Sequence, residues 1–177
     1  AAMASHEECE RHPDLAAHVN VDAARVVADA AASVGSTLVQ ISTDAVFDGL
    51  RGGYTEADEP SPFSVYGNTK LRGELAVLDS AADALVVRTN FFGWSPLATR
   101  SILEFFVTAM RDGRAVHGYT DFVVTSLYVR SLMEMIDRLA ASPHRGLVHV
   151  TSTDALSKFD FSQLVAAEFG LPGDVVT

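Results

Sequence analysis

Cysteine is scarce in this chain of 177 residues, and Cys9 is the only one. A disulfide within the chain is therefore excluded, and a reducing compartment is expected. No apolar run approaches the roughly 18 residues that a membrane span needs, and no signal-type segment opens the chain. From these absences we expect a cytoplasmic protein with no membrane partner.

Basic charge is also in short supply, with 13 Lys and Arg residues against 23 Asp and Glu and a net charge of −10. Nucleic-acid binding needs clustered cations that neutralise phosphates, so no nucleic-acid partner is expected. The 6 histidines lie at none of the spacings typical of metal ligands. Cys9 lies between Glu8 and Glu10, whose negative charge disfavours a reactive thiolate. Neither a metal site nor a cysteine nucleophile is expected.

What the chain does contain is the composition of a folded protein, with 48% hydrophobic residues, 12 Gly and 6 Pro. Apolar residues at helical spacing predict helices, and short apolar runs rich in β-branched residues predict strands. The predicted helices cover residues 13–34, 66–79, 100–111, 129–141 and 157–169, and the predicted strands cover 37–42, 84–89 and 147–151. This alternation favours an α/β fold with a doubly wound parallel sheet.

Ligands of such sheets bind beyond the carboxyl ends of the strands, so function is expected just after Ser42 and just after Arg88. Arg88 is also expected to pair with a carboxylate at its strand end. The loop-rich stretch after Thr89 is the candidate domain boundary. We predict that residues 1–90 hold the catalytic residues and that residues 91–177 complete the sheet and bind substrate.

Tyr66 and Lys70 stand four residues apart in a predicted helix and therefore on one face of it. A phenol has an unperturbed pKa of about 10, and a nearby ammonium favours its phenolate form. Thr43, at the end of a predicted strand, can hold a substrate oxygen within reach of that phenol. The three side chains predict proton transfer to or from a carbonyl or alcohol. The alternative is an ordinary surface pair of Tyr and Lys.

Two motifs carry a resemblance to a known family: STDAVFDG at residues 42–49 and SVYGNTKLRGE at residues 64–74. Together they resemble the extended short-chain dehydrogenase/reductases, and most of all the dTDP-4-dehydrorhamnose reductases. The similarity continues in VNV at 19–21, LVVRT at 85–89 and LSKFDF at 156–161. It implies a Rossmann-type fold, NADP or NAD as cofactor, and the reduction of a nucleotide-linked 4-keto-6-deoxy sugar.

The resemblance also implies roles for individual residues. Tyr66 would be the general acid, Lys70 would lower the Tyr66 pKa and hold the nicotinamide ribose, and Thr43 would hydrogen-bond the keto group. Asn20 matches an asparagine associated with helix geometry and a proton-relay water. The predicted cofactor contacts are Ser42, Tyr66, Lys70, Asn90 and Phe91, and the predicted substrate contacts are Thr43, Asp44 and Phe91. Capping or turn formation is the competing interpretation for Asp44, and core packing for Phe91.

Two positions depart from the rhamnose pattern. Ala45 stands where sugar-nucleotide dehydratases carry an acid and where dehydrorhamnose reductases carry Tyr, and Phe91 stands where the latter usually carry Trp. A methyl group donates no proton, so dehydration is not expected, whereas epimerisation stays open. The identity of the sugar stays open as well.

The glycine-rich G-x-x-G-x-x-G turn that receives the dinucleotide pyrophosphate in this family does not occur in the sequence. Residues 1–12 resemble the family's segment after its fourth strand, so we expect either a fragment of a longer chain, with an incomplete sheet, or a degenerate homologue. NAD and NADP are not distinguished, and a homodimer is possible. The alternative function is a non-catalytic regulatory or binding subunit of the same fold, like the relative that regulates methionine adenosyltransferase.

Overall fold

The computed structural model describes residues 2–80, 82–96 and 101–175. Its α-helices are α1 (His6–Arg11), α2 (Pro13–Ala17), α3 (Ala23–Ser33), α4 (Val65–Leu78), α5 (Ile102–Arg111), α6 (Val129–Ala141) and α7 (Lys158–Phe169). Its strands are β1 (Thr37–Thr43), β2 (Asp83–Thr89), β3 (Phe91–Phe92), β4 (Val123–Val124), β5 (Leu127–Tyr128), β6 (Gly146–His149) and β7 (Leu156–Ser157). Residues His18–Asp22 form a π-helical turn that joins α2 to α3.

A parallel three-stranded sheet in the order β1, β2, β6 confirms the predicted α/β architecture. β1 and β2 pair along their whole length, with Thr43 opposite Thr89 at the carboxyl ends. Leu85 and Val87 on one face of β2, and Val86 on the other, are fully buried, as a central strand covered on both faces requires. β6 ends at His149, two residues before the predicted Thr151.

The structure divides into two compact units. Unit 1 comprises Ala1–Thr89 and Ile136–Val150, and unit 2 comprises Asn90–Met135 and Thr151–Thr177. The units interleave along the chain because β6 pairs with β2 and so returns to the first unit. The division at residue 90 into a catalytic and a substrate-binding segment stays a prediction.

The core of unit 1 is built from small residues where its helices meet the sheet. Ala24 and Ala28 of α3 pack with Val77 of α4 and with Ala84 and Val86 of β2. The larger residues that reveal this helix in the sequence are exposed, among them Leu15 at 52%, Val26 at 65% and Val27 at 52%. The predicted helical segment over 13–34 is thus confirmed. The face that it buries carries small side chains instead of the large ones, and this lets α3 approach α4 closely.

Unit 2 has its own apolar core between α5 and α7, formed by Leu103, Phe106, Met110, Val165 and other apolar residues. Helix α5 begins with a capping box in which the Ser101 and Glu104 side chains each accept from the other residue's backbone N–H. Ser157 caps α7, and its side chain accepts from the Asp160 backbone N–H. Position 100, where the α5 helix was predicted to begin, lies outside the described residues.

Two small sheets complete unit 2: β3 pairs with β5 in parallel, and β4 pairs with β7 in antiparallel orientation. These two-residue strands were not predicted, because a pair of residues is too short to express an alternating pattern. Helix α1, in a polar segment, was missed for a similar reason. Within the described residues, no helix has both the length and the apolar character to cross a membrane.

The close approach of α4 to the π-helical turn predicts a cost for any side chain at Gly73. A Cβ atom there would lie 2.2 Å from the backbone oxygen of Asn20. We expect Gly73→Ala to lower the free energy of unfolding by about 2 kcal/mol, as overpacking does, despite the better helix propensity of alanine. Urea denaturation measures this, with Arg72→Ala at the exposed neighbouring position as control. Equal stability of the two variants would contradict the close packing.

Candidate active site

Helix α4 begins directly against the turn that follows β1. The Ser64 side chain caps the helix by accepting from the Gly67 backbone N–H at 3.0 Å. A Cβ atom on Gly67 would lie 2.2 Å from the backbone oxygen of Ala45, so only glycine allows this approach. Tyr66, in the first turn of the helix, is thereby brought to Thr43 at the end of β1, as the strand-end position of Thr43 predicted.

The Tyr66 phenol is mostly buried, and burial raises its pKa above the ordinary value. A side-chain hydrogen bond with Thr43 lowers the pKa, whereas the charges of Asp44 and Cys9 raise it further. The predicted net lowering by Lys70 is therefore wrong, because loss of hydration disfavours the phenolate more than the polar neighbours favour it. The Tyr66 side chain is a protonated hydroxyl at neutral pH.

Lys70 lies one helical turn after Tyr66 and is buried, with 6% of its surface exposed. Its ammonium donates to the backbone oxygen of Ile41 in β1 at 2.7 Å. Burial lowers the Lys70 pKa, and the Glu74 carboxylate opposes this by raising it. An ammonium has three donors, of which Ile41 takes one.

Thr43 links the strand end to the turn after it. Its hydroxyl donates to the Asp44 carboxylate at 3.1 Å and accepts from the Ala45 backbone N–H at 3.2 Å, which caps the short 3-10 turn Asp44–Val46. Asp44 therefore takes part in turn formation, and its contact with substrate stays a prediction.

Ser42 and Asn20 lie beside this group with their side chains committed to other partners. The Ser42 hydroxyl donates to Glu74. The Asn20 amide nitrogen donates to the Thr69 hydroxyl at 3.0 Å and to the Met3 backbone oxygen at 3.1 Å, and its oxygen accepts from the Met3 N–H at 2.9 Å. Asn20 thus links Met3 to Thr69 of α4, the residue directly before Lys70. Its role in a proton relay stays a prediction.

Asn90 and Phe91, the remaining predicted site residues, belong to unit 2. The Asn90 side-chain oxygen accepts from the Ser126 hydroxyl at 2.5 Å, and its backbone oxygen accepts from the Leu127 N–H at 2.9 Å. Phe91 is 50% exposed on β3, so it is not a core residue of that unit. Their contacts with cofactor and substrate stay predictions.

Two features of the site were missed in the sequence. Glu74, one further turn along α4, is buried and receives Arg88 in a two-pronged ion pair, with Nη2 to Oε2 at 2.7 Å and Nε to Oε1 at 3.0 Å. The pairing of Arg88 with a carboxylate was predicted, but not its partner; the four-residue step from Lys70 to Glu74 was the available signal. The ring of His6 lies 4.5 Å from the ring of Tyr66, a contact that no sequence pattern indicated.

The surroundings of Cys9 act on its thiol in the direction that its flanking acids predicted. Burial raises the pKa of the Cys9 thiol, and the charges of Glu10 and Glu8 raise it further, which disfavours a nucleophilic thiolate. Across the described ranges, no cluster of three or more His, Cys, Asp or Glu side chains is arranged to hold a metal ion. The polar side chains that α4 brings to the last residues of β1 include a phenol and an ammonium, and β1 itself contributes the Thr43 hydroxyl.

The chain matches the model of one protein family, the RmlD substrate binding domain, over residues 1–177. It is 36% identical over 180 residues to dTDP-4-dehydrorhamnose reductase of Mycobacterium tuberculosis, an alignment that covers 96% of this chain and 58% of that protein. It is 32% identical over 174 residues to methionine adenosyltransferase 2 subunit beta of Bos taurus, covering 92% of this chain and 51% of that protein.

A solved structure agrees with these similarities. The crystal structure of dTDP-4-dehydrorhamnose reductase from Bacillus anthracis in complex with NADP superposes with a TM-score of 0.91 at 30% identity, and the match covers 97% of this chain and 61% of that one. The chain thus spans between 51% and 61% of the length of these three proteins.

The contacts of Asn20 predict a local effect of its removal. Asn20→Ala removes the donor to the Thr69 hydroxyl and to the Met3 backbone oxygen, as well as the acceptor of the Met3 N–H. We therefore expect a loss of about 2 kcal/mol in unfolding free energy. We also expect faster hydrogen exchange at the Met3 amide, measured by NMR. Asn68→Ala, at an exposed position of α4, is the matched control. Unchanged exchange at Met3 would contradict the tie between the two segments.

Proposed function

We propose, because the chain belongs to the RmlD substrate binding domain family, that it carries the catalytic residues for NADPH- or NADH-dependent reduction of a nucleotide-linked 4-keto-6-deoxy sugar. The observation that carries this proposal is the convergence of Thr43, Tyr66 and Lys70 at the carboxyl end of β1. The chain spans about half to three fifths of the length of these relatives. Its activity and its substrate are therefore proposals.

The proposed reaction converts a ketone to an alcohol, with hydride added to carbon and a proton added to oxygen. The reduced nicotinamide, when bound, supplies the hydride. Tyr66 donates its proton to the keto oxygen, and Thr43 holds that oxygen in reach through a hydrogen bond. Burial keeps the phenol protonated before the step. The Lys70 ammonium is proposed to favour the phenolate that remains after the step, whereas before the step burial outweighs such effects and the Tyr66 pKa is raised.

The residues at the strand end fit the nicotinamide end of a dinucleotide, because Lys70 has donors beyond the one that Ile41 takes and these suit ribose hydroxyls. The pyrophosphate end finds no glycine-rich turn in this sequence. Gly49, Gly52 and Gly53 have positive φ angles of 74°, 67° and 61°, but they lie in the loop after β1. The proposal therefore assigns this chain's residues to the reacting end of NADP or NAD.

Residues 91–177 are proposed to bind the sugar nucleotide, with half-exposed Phe91 as a contact. Asp44, in the turn after β1, is proposed as a further substrate contact. A homodimer is proposed as the assembly, and sedimentation of the purified protein measures it.

A second candidate is a non-catalytic regulatory or binding subunit. It is favoured by the 32% identity to methionine adenosyltransferase 2 subunit beta, a protein named as a subunit. Two measurements together separate the candidates: quenching of nicotinamide fluorescence reports binding of the dinucleotide, and a turnover assay reports catalysis. Quenching with turnover of a dTDP-linked 4-keto-6-deoxy sugar supports the reductase, whereas quenching without turnover supports the regulatory subunit.

Removal of the phenol hydroxyl tests the assigned proton donor. We expect Tyr66→Phe to lower turnover by about 10²- to 10⁴-fold, the usual contribution of a general acid, while the fold is retained. Oxidation of the nicotinamide, followed by its absorbance, measures the rate. Tyr119→Phe, at an exposed tyrosine of unit 2, is the matched control. Turnover in Tyr66→Phe equal to that in the control would remove Tyr66 from the mechanism.

A further inference from the structure

One face of α4 is fastened to the end of β1 by three side chains at four-residue steps, Tyr66, Lys70 and Glu74. Each contacts one of the last three residues of the strand: Tyr66 meets Thr43, Lys70 donates to the Ile41 oxygen, and Glu74 accepts from the Ser42 hydroxyl. The first two contacts belong to the proposed reaction. The third has no place in it so far.

Glu74 is buried, with 1% of its surface exposed, and its carboxylate accepts hydrogen bonds from two other residues. Arg88 of β2 donates to both of its carboxylate oxygens. Arg88 is itself 4% exposed, with its guanidinium 5.1 Å from the centre of the Phe47 ring and its Nη1 3.5 Å from His149 Nε2. A carboxylate with this many donors in a fixed fork has little freedom to move.

We propose that Glu74 is a positioning residue for the proposed reaction: Arg88 and Ser42 hold its carboxylate one helical turn beyond Lys70, where it supplies negative charge on the same buried face of α4 as the Lys70 ammonium. The inference rests on the proposed function for the identity of the reaction. Its electrostatic part concerns Lys70 alone and is measurable without substrate or cofactor.

Buried charged groups need an opposite charge close by, because water is excluded from them. Lys70 and Arg88 are two buried cations, and Glu74 is the carboxylate that Arg88 contacts directly and whose charge acts on Lys70. The other titratable groups about the site are Tyr66 on α4, Asp44 after β1, Cys9 on α1 and His149 on β6. Loss of the Glu74 charge removes the carboxylate one turn from Lys70, so that burial, no longer opposed by it, favours the neutral amine.

The scarcity of lysine makes the test direct, because Lys70 and Lys158 are the only two in the chain. Lysine labelled with ¹³C at Cε gives two signals, and Lys158→Arg assigns them. We expect Glu74→Gln to lower the titration midpoint of Lys70 by about one pH unit relative to the parent protein. Asp79→Asn, which removes one negative charge from the exposed end of the same helix, is the matched control and should leave the midpoint unchanged.

Glu74→Gln leaves Arg88 buried without a carboxylate, which destabilises the fold. A second variant that lacks both charges keeps the test valid if the single variant unfolds. Glu74→Gln combined with Arg88→Gln removes both charges and keeps the net charge of the pair. The Lys70 midpoint should still lie below that of the parent protein, because the carboxylate one turn from Lys70 is missing in this variant as well.

The outcomes separate positioning from simple structural support. A Lys70 midpoint that stays at the parent value in a folded variant lacking Glu74 overturns the inference, and so does loss of the fold in both variants, which would assign the pair to stability alone. Failure of the proposed function is recognised separately, since Tyr66→Phe and the parent would then show the same lack of turnover while the Lys70 titration still responds to Glu74.

Discussion

The buried ion pair between Glu74 and Arg88 is the interaction on which the rest of unit 1 depends. A carboxylate with almost no exposed surface is stable only if its oxygens are satisfied, and here Arg88 from β2 and Ser42 from β1 satisfy them. Both donors stand opposite each other in the sheet, since Ser42 pairs with Arg88 in the strand register. These contacts fix the position of helix α4 on the sheet. They thereby also place Lys70 and Tyr66, which lie one and two helical turns before Glu74.

Burial acts on both groups of the proposed proton transfer and drives each toward its neutral form. It raises the pKa of Tyr66 and lowers the pKa of Lys70. The polar neighbours work against it, Thr43 through a hydrogen bond and Glu74 through its charge. A neutral phenol beside a cationic amine is the pair that proton donation needs. Burial favours the neutral phenol of Tyr66, and the Glu74 carboxylate opposes the effect of burial on the amine of Lys70.

Regular elements were predictable from the sequence because their patterns repeat. The helices that became α4 and α6, the strands β1 and β2, and their parallel arrangement all follow from spacing and alternation. The convergence of Thr43 and Tyr66 followed from topology, since strand ends and the next helix start meet at one edge of a sheet. The burial of Glu74 did not follow, because an acid at helical spacing has the same pattern whether it faces water or an arginine. The direction of the Tyr66 pKa shift was wrong for the same reason: sequence spacing places Lys70 nearby but does not measure how much water is excluded.

The most direct test of this account is a double-mutant cycle on the buried pair, from urea unfolding of Glu74→Met, Arg88→Met and the variant with both changes. Each single change leaves one buried charge without its partner and is expected to cost about 3 to 5 kcal/mol of unfolding free energy. The double variant removes both members of the pair and is expected to cost less than the sum of the two single changes. Costs that simply add across the two sites would contradict the claim that this pair fixes helix α4 on the sheet.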